Sequence, residues 1–147
     1  FIFFSCEDEV SNKTPGFEAT INGNFDWVAD SYVATLQNNQ LSITGTSPFG
    51  TIAMQIDSLE LGSYNLYSWT DDFAIFQDTL QYSTQNDGVN SIAHLSDGLI
   101  DINEIDNVNN TVSGHFHFDA YNGTGEYTIN LSEGVFYKIP ITSDSQD

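Results

Sequence analysis

From Phe17 onward apolar and polar residues alternate with a period of two, and Asn, Asp or Gly interrupts the alternation every few residues. That period sends successive side chains to opposite faces of an extended chain, so each run predicts a half-buried strand. FEATI and FDWVA flank Asn22-Gly23-Asn24, where Asn-Gly supplies the positive φ angles of a tight hairpin. In FDWVA, Phe25, Trp27 and Ala29 share one face, and Trp27 is expected in the core. YVATLQ and QLSITGT follow around Asn38-Asn39, then TIAMQID with Ile52, Met54 and Ile56 in one register, then GSYNLYSW. AIFQ, TLQYST, SIAHL and LIDINEI are separated by turns at Asn86-Asp87-Gly88 and Asp97-Gly98. The last third is the clearest: TVSGHFHFDAY, the turn Asn122-Gly123-Thr124-Gly125, EYTINL and GVFYKIP.

The pattern predicts an all-β, largely antiparallel domain of roughly ten short strands with little or no helix. Period and punctuation leave open whether it closes as a β-sandwich or a β-barrel. One domain is expected over residues 17–141, with a frayed tail over 142–147.

The opening FIFFSCEDEV breaks the pattern. Phe1 to Phe4 read as the end of an apolar leader that began further upstream, and Ser5 supplies the small residue before a cleavage point. Phe3-Phe4-Ser5-Cys6 resembles the bacterial lipobox, which implies that residues 1–5 are signal-peptide remnant and that Cys6 accepts lipid. Glu7, Asp8 and Glu9 resemble the export signal of surface-exposed lipoproteins in the Bacteroidota. Residues 6–16 would then be a tether, and the domain would face the medium from a lipid anchor in the outer membrane. The alternative is an N-terminal strand with a buried free cysteine, at the cost of burying three acids.

Charge narrows the partners. Against 21 Asp and Glu the chain carries two basic residues, Lys13 and Lys138, for a net charge of −19. Such a field repels phosphates, so no nucleic acid partner is expected, and cations are expected to gather diffusely. The single cysteine makes no internal disulfide, so burial must hold the fold. No apolar run approaches the roughly 18 to 20 residues of a membrane-spanning helix.

Taken together, the lipobox with its acids, FEATINGNFDWVA, LGSYNL and NTVSGHFHFDAYNGTGEYTINLSEGVFYKIPI resemble a family of uncharacterised Bacteroidota lipoproteins known only as a domain of unknown function. The resemblance rests on Ala19 to Trp27, Gly62 to Tyr64, Val112 to Phe118 and Gly134 to Phe136, and covers nearly the whole chain. It implies a fold and an address, and no activity.

Candidate chemistry is sparse. His115 and His117 share a strand face and suit zinc if His94 or Asp119 adds a ligand; otherwise they line the solvent side while Phe116 and Phe118 pack inward. Asp101, Asn103 and Asp106, with Glu104 and the asparagines up to Asn110, crowd a strand end with oxygens that suit calcium, or simply cap a turn. Trp69 beside Asp71 and Asp72 offers an aromatic face and acceptors for a sugar ring, although a tryptophan in a chain this small usually anchors the core. There is no G-x-S-x-G and no arginine, which disfavours acyl and phosphoryl transfer. No catalytic residue and no cofactor are expected. The reading is a lipid-anchored, non-catalytic binding or accessory module for a glycan or protein ligand. The alternatives are a structural component of an outer-membrane or secretion assembly, and a carboxylate-based hydrolase.

Overall fold

The computed structural model describes residues 15–89 and 95–143. None of these is helical. Eleven strands follow in order: β1 (Gly16–Ile21), β2 (Phe25–Val28), β3 (Ser31–Gln37), β4 (Gln40–Ser47), β5 (Gly50–Ile56), β6 (Gly62–Tyr67), β7 (Phe73–Gln77), β8 (Gln81–Ser83), β9 (Asp97–Asp106), β10 (Thr111–Asn122) and β11 (Thr128–Ser143). The turns use the chemistry the sequence offers. Asn38 and Asn39 sit at φ of 54° and 67°, the left-handed pair that a two-residue hairpin requires, while Asn22 and Gly23, at 52° and 79°, open the three-residue loop between Ile21 and Phe25.

The strands form one continuous sheet that doubles over into two layers. One layer runs β2-β1-β11-β10-β9-β6 and the other β3-β4-β5-β7-β8. Two short pairings join them. Ile141 to Ser143 of β11 run parallel to Ala34 to Leu36 of β3, while Tyr121 and Asn122 of β10 pair antiparallel with Ser83 and Tyr82 of β8. A ring of hydrogen-bonded strands therefore closes through β11, β3, β4, β5, β7, β8 and β10, so the fold combines sandwich layers with barrel-like closure. The expected frayed tail needs correction: Thr142 and Ser143 belong to β11. Residues 144–147, the tether up to Thr14, and most of the strand expected over SIAHL lie outside the described residues.

The core follows the alternation. Trp27, Leu41, Ile52, Leu66, Val112, Leu131 and Phe136 are fully buried. Phe17 meets Trp27 and Phe116 edge-on, with ring centroids 5.3 and 5.6 Å apart. Phe25, expected on the same face as Trp27, is 40% exposed at the hairpin end. Two glycines make room for rings across the β10–β11 ladder. Gly114 pairs with Phe136 and Gly134 with Phe116, and a Cβ on either glycine would stand 2.6 or 2.4 Å from its partner's ring. Those four residues make up much of the late V-S-G-x-F and G-x-F signature, which is thus a packing device.

Candidate functional site

On β6 the alternation buries Leu66 and turns Tyr67 outward. The connection to β7 is pinned by Thr70: its amide donates to the Tyr67 carbonyl at 3.1 Å, and its hydroxyl accepts from the Tyr67 amide at 3.0 Å. This tight turn lays the Trp69 indole on the Tyr67 ring, centroids 4.7 Å apart and planes 7° from parallel. Trp69 remains 67% exposed. The expectation that it anchors the core is overturned, because the turn directs it onto the outer face of the sheet. One indole face is covered by Tyr67 and the other meets solvent.

Register then builds a row from this plate. Tyr67 pairs with Asp97, Asp97 with Asp119, and Asp119 with Asn130. Residues directly opposite share a face, and neighbouring strands lie about 4.8 Å apart, so the row from Tyr67 to Asn130 spans roughly 14 Å. Asn130 Nδ2 donates to Asp119 Oδ1 at 2.7 Å. Asp97 is pushed above the usual carboxylate range by partial desolvation, then by the charge of Asp119 and a hydrogen bond with it, while His117 pulls the other way. Beside the row, Leu99, Asp101, His115, His117 and Glu133 line a depression of about 170 Å³.

The other expected sites separate. Asp71 is exposed in the same turn as Trp69, but Asp72 Oδ1 accepts from the Asp57 amide at 3.0 Å. Its carboxyl is raised by desolvation and by the charges of Asp57 and Asp71. Asp101 accepts from the Ser63 hydroxyl at 3.0 Å, and Asn103 Nδ2 lies 3.1 Å from His115 Nδ1. Asp106 caps the β9–β10 turn: Oδ1 accepts from the amides of Val108 at 2.9 Å and Asn109 at 3.0 Å, and Oδ2 from Asn109 Nδ2 at 2.9 Å. Those bonds hold its carboxyl below the usual range. Asp101 and Asp106 stand on one strand about 15 Å apart, so the expected calcium set of Asp101, Asn103 and Asp106 does not converge. His115 and His117 are exposed as the alternation predicts, with Phe116 and Phe118 buried behind them. Among the described residues no group of three or more His, Cys, Asp or Glu is placed to hold a metal; His94 lies outside them. Cys6, Glu7, Asp8 and Glu9 also lie outside.

A second surface sits at the turns. Phe25 and Phe49, 61% exposed in the latter case, meet edge-on at 5.1 Å. They rim a depression of about 290 Å³ shared with Ile21, Phe76, Asp78 and Tyr82.

No curated protein matches the chain, and no solved structure does. One family model matches, over residues 13–140. It spans every strand but the last residues of β11, and the chain accordingly belongs to the family described as Domain of unknown function (DUF6252).

Proposed function

We propose that this chain is a non-catalytic binding module, held in the outer membrane by lipid on Cys6 and facing the medium, in the manner of the Bacteroidota lipoproteins it resembles. The exposed Trp69 plate carries the binding reading. An indole laid on a tyrosine ring presents a flat apolar face with a polar edge, a surface suited to ligand contact, and the hydrogen bonds of the Thr70 turn place it outward. The anchor reading is supported by Phe3-Phe4-Ser5-Cys6 and the acids behind it. Ten residues lead from Cys6 to Gly16, a reach of at most about 35 Å, enough to lift the domain off a bilayer surface. Asp97 and Asp119 face each other across the β9–β10 ladder, and a non-catalytic role takes them as acceptors for ligand hydroxyls.

Binding is tested by screening the chain and its Trp69→Ala variant on arrays of glycans and envelope components. Every signal surviving Trp69→Ala undiminished would remove the plate's role. Anchoring is tested separately by palmitate labelling in a bacterial host, where Cys6→Ser should abolish both label and membrane retention. Replacing Glu7, Asp8 and Glu9 with Ala should keep the label and remove access to external protease.

A second reading, a structural component of an envelope assembly, draws on the Phe25–Phe49 pair. It expects Phe25→Ser with Phe49→Ser to release the protein from a complex that Trp69→Ala leaves intact.

A further inference from the structure

We propose that the outer face of β6, β9, β10 and β11 is a platform for an uncharged glycan, with one sugar ring on Trp69 and the next hydroxyls bonded along Asp97, Asp119 and Asn130. This rests on the binding-module reading above and names its ligand class. The free indole face is flat and apolar, and it matches the C–H face of a pyranose ring, whose hydroxyls project sideways. Sideways from Tyr67, the ring that lies under the plate, come oxygen acceptors in cross-strand register: the carboxyls of Asp97 and Asp119. Asn130 follows with its side-chain carbonyl, its Nδ2 being occupied by Asp119. A polyhydroxylated ligand is a donor at every ring, and this row is mostly acceptor.

Other ligand classes fit less well. A uronate, a sulfated glycan or a phosphate ligand meets two carboxylates, a net charge of −19 and no arginine in the chain. An apolar peptide side chain would enter the depression beside the row, which Leu99 and Phe116 help to line, and would leave the Trp69 plate and the acceptors of the row unused. A cation would be drawn to any part of so acidic a surface, and salt would screen it. The roughly 14 Å of the row accommodates a short run of sugars crossing the strands.

The test uses the full chain in detergent at physiological salt. Titration calorimetry is run with neutral hexasaccharides of glucose, mannose and galactose in several linkages, a glucosamine hexamer and a galacturonic acid hexamer. We expect at least one neutral hexamer to bind, and Trp69→Ala, Asp97→Asn and Asp119→Asn each to weaken it about tenfold or more. Val108→Ser, exposed on the turn at the opposite end of β9 from Asp97, should leave the affinity unchanged, and each variant should keep a single cooperative melt. Binding confined to the galacturonate or glucosamine hexamer, or to none, overturns the proposal. So does binding of a neutral hexamer that ignores both Asp97→Asn and Asp119→Asn. If the arrays meanwhile show a Trp69-dependent partner that is not a glycan, the binding-module reading stands and only the ligand class falls.

Discussion

Trp27 has its indole Nε1 donating to the Gly50 carbonyl at 2.9 Å and no exposed surface. Trp27→Ala should therefore cost about 3–5 kcal/mol by denaturant unfolding, whereas Trp69→Ala should stay within about 0.5 kcal/mol of the parent. Equal losses would contradict the packing described. Acrylamide quenching should report almost wholly on Trp69. At Asp97 the folded state favours the protonated carboxyl, so it binds more protons than the unfolded chain above the ordinary value of 3.8. Stability must then fall as pH rises from there through the raised value. Asp97→Asn should flatten that part of the pH profile and raise the melting temperature near neutral pH; an unchanged profile would mean the pair exerts no such strain. The sequence shows Trp69 and its neighbouring acids, yet the acids aligned with the plate come from other strands. Counting back from the β9–β10 turn misses them, because a bulge between Ser113 and Gly114 shifts the register by one, and one residue reverses every face.

β11 shows why strand existence was legible and strand path was not. Its alternation is plain in EYTINL and GVFYKIP, but two bulges interrupt its pairing with β10, opposite Ser113 and opposite His117. Near them Lys138 and Glu133 adopt φ of 54° and 52°, a conformation that side-chain-bearing residues enter at a cost of about 1–2 kcal/mol. The Lys138 bulge falls where β11 leaves its pairing with β1 at Tyr137 and goes on to pair with β3 from Ile141. No local propensity announces a glutamate or lysine there; only the demand for ring closure does. Asn tolerates the left-handed region better, so Glu133→Asn should stabilise the domain by about 0.5–1 kcal/mol, and a loss would show that Glu133 makes a contact worth more than its strain. The family match ends at residue 140, just before the three residues that join β3. A chain cut there should lose cooperativity and several degrees of melting temperature through the missing Ile141 and its ladder; an identical melt would show the closure to be dispensable.

At the scale of the molecule, a net charge of −19 makes every acid a neighbour of others. Self-repulsion of that size is relieved by counterions, so added salt should raise the melting temperature. Because Asp106 spends its oxygens on the β9–β10 turn, calcium should act as ionic strength alone, and sodium chloride at matched ionic strength should reproduce most of the rise. A saturable, calcium-selective rise lost in Asp101→Asn with Asp106→Asn would refute this. The layout of the sheet also sets a clock. β1 pairs with Tyr137 to Leu131 of β11, and the Asn22 side chain accepts from the Asn130 amide across 108 residues. Contacts this distant in sequence form late and place such domains among the slow folders, in milliseconds to seconds. A chain that emerges N-terminus first, from a ribosome or a translocation pore, holds one edge of β1 unmatched until β11 has followed. The N-terminal strand is thus the first to arrive and among the last to be secured.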